Sequence, residues 1–222
     1  MSREKESPSS ISTFLKCPYS YKLSYIDKVS SVTTAKVENG KWVHKQLEEW
    51  AKAKKNSIKF EPHKGSSKFI EAVEKFLIDN NDEIVEVEKH FVIEISGQKV
   101  QIFIDALTKN CLSIDYKITG SPGFYKNYHS YQNRLYSYIL RELGFDYKFL
   151  YLLLETNTTG NFKELHEDWS VITDLEMLET EKYFKQIMSL IKNCYDNGVF
   201  PPSYNSCASC FYKKSCPHYW GF

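Results

Sequence analysis

Between Gln101 and Ile118 the chain reads QIFIDALTKNCLSIDYKI. Ile102, Ile104 and Ala106 alternate with Phe103, Asp105 and Leu107. Leu112, Ile114, Tyr116 and Ile118 then alternate with Ser113, Asp115 and Lys117. Strand side chains repeat every two residues, so this pattern predicts two strands, Lys99–Leu107 and Leu112–Ile118. Thr108-Lys109-Asn110 is expected to be the turn between them, with Asn110 left-handed. If the two apolar sets share the core face, Asp105, Asp115 and Lys117 share the other. Direct cross-strand pairs must then have numbers summing to an even value.

Upstream, Val85–Ile95 reads as a third strand, joined through Ser96-Gly97-Gln98. Ser7-Pro8-Ser9-Ser10 opens a helix from Ile11 to Ile26 that Pro18 interrupts. Further helices are expected over Ala35–Ala53 and Ser66–Asn80. Downstream, a helix over Tyr131–Leu143 stops at Gly144. Tyr147–Glu155 is almost continuously apolar, the mark of a strand buried on both faces, with Phe162–Trp169 as its partner. Thr173 or Asp174 caps a last helix to Asn197, which Gly198 and Pro201-Pro202 end. The order ααα-βββ-α-ββ-α predicts an α/β fold: a central mixed sheet flanked by helices, then a cysteine-rich C-terminal tail.

The 222 residues suit a single domain, and 42% apolar with 26% charged residues is ordinary globular composition. With 29 Lys plus Arg against 28 Asp plus Glu, any nucleic-acid partner must be met by a local patch. No run approaches ~18 apolar residues, and the polar opening MSREKESPSS has no apolar signal core. The expected location is the cytoplasm (of the host, if the source is viral), without membrane association. Disulfides are disfavoured there, so clustered cysteines read as metal or cluster ligands.

Two carboxylates beside an ammonium suit a hard divalent cation held through oxygen, with the lysine orienting and helping to deprotonate an attacking water. The plainer alternative is a solvated polar face with a salt bridge. Asp105 followed by Asp115-Tyr116-Lys117 resembles the core motif of the PD-(D/E)XK nuclease superfamily. Gly40-Lys41-Trp42-Val43-His44 resembles the Gly-x-x-x-His element of its RecB-like branch, Gln132 and Tyr136 its Gln-x-x-x-Tyr element, and Ser9 to Tyr21 its opening segment. Ile104 stands where many members carry proline. Glu88 falls where the family often has another acidic residue, with Glu86 and Glu94 as alternatives. The resemblance implies a restriction-endonuclease-like core. His44, Asp105, Asp115 and the Tyr116 carbonyl would bind Mg²⁺ or Mn²⁺, with Lys117 and Glu88 catalytic and Gln132 and Tyr136 on the substrate. Read alone, His44 also fits a satisfied core histidine beside Trp42, Leu47 and Trp50. The run of Lys52, Lys54, Lys55 and Lys59 fits a solvated helix end.

Cys207, Cys210 and Cys216 lie in the tail and Cys17 near the start. Tail spacing alone allows zinc. One distant cysteine plus three clustered ones resembles the iron–sulfur variant of RecB-like nucleases, including CRISPR-associated RecB-like exonucleases and AddB-type nuclease domains. That likeness implies a 4Fe–4S cluster, with 1–30 and 203–222 forming a clasp on a single 1–222 nuclease domain. Cys111 and Cys194 read as small buried hydrophobes on a strand and a helix. The expected activity is metal-dependent DNA cleavage, as an exonuclease on single-stranded or end-containing DNA. The alternatives are an endonuclease or nickase with the same site, and a non-catalytic DNA-end-binding subunit. No phosphate-binding GxxxxGK[ST] loop is present, so unwinding would fall to a helicase or recombination partner.

Overall fold

Five strands hydrogen-bond in chain order: β1 (Ile84–Ile95), β2 (Gln98–Thr108), β3 (Leu112–Thr119), β4 (Lys148–Thr156) and β5 (Phe162–Ser170). In this computed structural model, which describes residues 4–30, 34–123, 130–170 and 172–219, β2–β3 and β4–β5 are antiparallel and β3–β4 is parallel. A parallel step needs a long crossover, and helix α5 (Ser130–Glu142) lies within it. The sheet is therefore mixed and helix-flanked, as expected. The other helices are α1 (Pro8–Lys16), α2 (Pro18–Tyr21) running into a π-turn at Lys22–Ile26, α3 (Ala35–Lys55), α4 (Ser67–Asp79) and α6 (Asp174–Asn197). No helix among the described residues is long and apolar enough to cross a membrane.

The chain divides into two units: 1–33 with 92–102 and 178–222, and 34–91 with 103–177. In the second, β4 is the spine, and Phe149 to Leu154 are each at most 1% exposed. Alternate β3 and β4 residues, Leu112, Ile114, Tyr116, Leu150, Leu152 and Leu154, pack with Val43, Leu47 and Trp50 of α3 and Phe69, Val73 and Leu77 of α4. The opposite face carries Phe149, whose ring meets Tyr136 of α5 at 5.1 Å. Gly144 takes φ +79 after α5, with Phe145 N–H donating to Leu140 O and Gly144 N–H to Arg141 O, the double bond of a Schellman stop. Thr173 caps α6: its hydroxyl accepts the Glu176 N–H while the Glu176 carboxylate accepts the Thr173 N–H.

In the first unit Glu6 pairs with Val100, and its carboxylate is buried, accepting from Ser10 Oγ at 2.6 Å and Tyr21 Oη at 2.5 Å. Burial and that carboxylate push the Tyr21 phenol far up. The helix expected over Ile11–Ile26 is broken at Cys17, which is extended at φ −165 and ψ 110. A residue before proline is disfavoured in helical conformation, so the break falls one residue ahead of Pro18.

The β2–β3 turn differs from expectation. The left-handed residue is Cys111, at φ 60, rather than Asn110. Asn110 is held by its N–H to Asp82 Oδ1 at 3.0 Å and its side chain to Asn81 O at 3.2 Å. Cys111 is exposed in the turn, and Cys194 is half-buried on α6, so neither is a fully buried hydrophobe. The observed pairs, Ala106 with Ile114 and Leu107 with Ser113, keep the even sum. Continued, that register sets Asp105 opposite Asp115.

Candidate active site

The β2–β3 ladder changes partners where the site begins. Tyr116 N–H donates to Asp105 Oδ2 at 2.6 Å, and Tyr116 O lies 2.6 Å from His44 Nε2. Both backbone groups that Tyr116 turns toward β2 are thus taken by side chains. His44 comes from α3, where Thr34 caps the first turn by accepting the Val37 N–H. Val43, Leu47, Trp50 and Ala51 fix that helix on the sheet at helical spacing, which aims His44 at the β2–β3 gap. Nothing lies within 4 Å of a Cβ placed on Gly40, one turn before His44.

His44 Nδ1 lies 3.7 Å from Asp105 Oδ2, and Lys117 Nζ pairs with Asp115 Oδ2. The Lys117 ammonium also sits 5.5 Å over the Tyr151 ring. Burial, and then the like charge of Asp115, hold the Asp105 carboxyl well above the usual range. Burial, reinforced by Lys117, pushes His44 down and favours the neutral imidazole a cation needs. Glu88 is pushed up to about 7 by burial, Asp105 and Glu48. Its φ of 51 is the left-handed region inside a strand, which a bulky residue adopts only under local constraint.

Gln132 hydrogen-bonds to Tyr136, and Tyr136 Oη donates to Phe103 O at 3.0 Å. The tyrosine is therefore buried and anchors β2 beside Asp105. The lysine run is engaged with acids: Lys52 with Glu48, Lys54 with Glu74, Lys55 with Glu86 and Lys59 with Glu61. Sequence reasoning passed over Glu48, one turn beyond His44, whose charge acts on both Glu88 and Asp105. The i, i+4 spacing from His44 was its only signal.

The donors fit a hard divalent cation. Two carboxylates, a carbonyl and a neutral imidazole face one another, and the buried Asp115 carboxylate is met by the Lys117 ammonium. Among the described residues, the group of three ligand atoms lying within 4.8 Å of one another is Glu155, Glu164 and His166. The His44, Asp105 and Asp115 donors stand wider apart than that. Glu155 is already engaged by Lys163 Nζ at 2.6 Å and His166 Nε2 at 2.7 Å, leaving little for a metal.

In the first unit four thiols gather. Burial, then Cys17, Cys210 and Cys216 nearby, push the Cys207 thiol up. Cys17 Sγ accepts N–H groups from Ser20 at 3.4 Å and Ser203 at 3.3 Å, and Cys210 Sγ accepts that of Tyr212 at 3.4 Å. Backbone donors aimed at sulfur suit thiolates that hold a metal centre.

A family model for the PD-(D/E)XK nuclease superfamily matches residues 5–217. The chain belongs to the PD-(D/E)XK nuclease superfamily. A candidate exonuclease from Eubacterium rectale shares the fold of this PD-(D/E)XK protein at TM-score 0.66 and 15% identity, over 93% of this chain and 87% of that one. The structure of SSO0001 aligns at TM-score 0.47 and 14% identity, over 99% and 88%. No curated protein matches significantly.

Proposed function

We propose that this PD-(D/E)XK protein is a metal-dependent deoxyribonuclease, acting as an exonuclease on single-stranded or end-containing DNA. The observation that carries this reading is the junction at Tyr116, where Asp105, Asp115, Lys117, His44 and a backbone carbonyl meet on the central strand of the sheet. His44, Asp105, Asp115 and the Tyr116 carbonyl would hold Mg²⁺ or Mn²⁺. Bound there, the cation supplies electrophilic activation of the phosphodiester and acidifies water. Lys117, next to Asp115, orients the attacking water and offsets charge on the phosphate. Glu88, poised near neutrality, exchanges a proton at its carboxylate. Tyr136 acts from behind by fixing β2 through the Phe103 carbonyl. The exonuclease reading draws on the Eubacterium rectale neighbour.

Cys17, Cys207, Cys210 and Cys216 are proposed to hold a 4Fe–4S cluster that clasps the chain ends. The sulfur-directed N–H donors support this.

The test is cleavage with Mn²⁺ of linear and circular single-stranded DNA. The linear strand should be degraded and the circle spared, and Asp115→Ala and Lys117→Ala should each cut the rate by at least about 100-fold, the scale of losing one electrostatic or acid–base group, with far-UV circular dichroism unchanged. Cleavage of the circle would favour an endonuclease. Full activity in either variant overturns the mechanism.

A further inference from the structure

Phe103 lies two residues before Asp105 on β2 and so projects from the same face of the strand. It is 46% exposed, although its sequence neighbours Ile102 and Ile104 are fully buried. The two-residue turn Ser96-Gly97, with φ of 52 and 74, sets the β1–β2 register, and continuing it brings His90 opposite Phe103. The rings confirm that pairing, with centroids 4.4 Å apart and planes inclined by 9°. His90 is itself exposed. The Phe103 backbone is tied down by the Tyr136 hydroxyl at 3.0 Å, so the slab is built on a fixed strand rather than a loop.

We propose that the His90–Phe103 slab is a stacking platform for one unpaired nucleobase of the substrate strand, next to the phosphate cut at Asp105 and Asp115. This rests on the nuclease reading and names its substrate as single-stranded DNA. A strand advances about 3.3 Å per residue, so Phe103 and Asp105 emerge roughly 7 Å apart, on the order of one nucleotide. An exposed flat ring on a rigid strand costs little ordering entropy and offers a π-face that every base can use, so the platform is sequence-tolerant. Bases in a duplex are already stacked on their neighbours and gain nothing from it. That difference selects unpaired ends.

The test separates binding from cleavage. Equilibrium binding of a fluorescent single strand is measured in EDTA, for strands that are intact or carry a tandem of abasic nucleotides at the bound end. Phe103→Ala should weaken binding of the intact strand about tenfold, the scale of one lost base–aromatic stack, and leave the abasic strand unchanged. Phe103→Trp should restore the intact-strand affinity, which excludes a folding defect. Equal loss on both strands, no loss on either, or no single-strand binding by the wild type overturns the platform. The Mn²⁺ cleavage assay reads the nuclease proposal independently. Base-dependent binding without cleavage leaves the platform standing and removes the enzyme, and cleavage indifferent to Phe103 does the reverse.

Discussion

Asp105→Asn should make the metal-free protein more stable while destroying its response to metal. Asp105 lies beside Asp115, with its side chain only 12% exposed. Cross-strand neighbours stand roughly 5 Å apart, and two like charges at that distance repel by about 3 kcal/mol at an effective dielectric near 20. Asparagine keeps an oxygen for the Tyr116 N–H but weakens that bond by about 1 kcal/mol, and it forgoes some attraction to Lys117. The net gain is about 1–2 kcal/mol, or roughly 2–8 °C in Tm for a chain of this size. The gain depends on pH. Because the folded Asp105 carboxyl titrates above its unfolded value, the folded state holds more protons across that window and loses stability as pH rises through it. The variant's advantage should therefore be absent near pH 4 and grow as pH rises from there. Mn²⁺ at about 100 times its Kd should add about 2.7 kcal/mol to the wild type and little to the variant. Differential scanning fluorimetry from pH 4 to 8, with and without Mn²⁺, reads all of this. An Asp105→Asn protein less stable than wild type at pH 8, or stabilised equally by Mn²⁺, would refute the charge argument and the ligand role.

Anaerobically purified protein should be coloured and contain iron; replacing Cys17, Cys207, Cys210 or Cys216 with Ala should bleach it and lower Tm, whereas Cys111→Ala and Cys194→Ala should not. Stoichiometric zinc without iron would reject the iron–sulfur cluster and keep the clasp. Tyr136→Phe removes the hydroxyl from the Phe103 carbonyl and should cost about 1 kcal/mol of stability, with kcat falling more than KM changes, because β2 loses its anchor beside Asp105. A KM effect with unchanged kcat would instead place Tyr136 on the substrate.

Periodicity carried most of the fold. Alternation in QIFIDALTKNCLSIDYKI is a local property, because pleat and burial act on neighbouring residues, and β2, β3 and their shared polar face follow from it. Capping chemistry is equally local, so Gly144 and Thr173 marked helix ends where the backbone places them. Asp105, Asp115 and Lys117 were readable for the same reason. Register was not local. Parity alone allowed several pairings, and only Asn110's bonds to the residues before β1 moved the left-handed position to Cys111 and aligned Asp105 with Asp115. The left-handed Glu88 with the charge of Glu48 on it, and the Tyr136 bond to β2, join residues far apart in the chain. No spacing rule encodes such contacts. They exist because packing α3 and α5 on opposite faces of one sheet brings those groups within reach of the same few ångströms of strand.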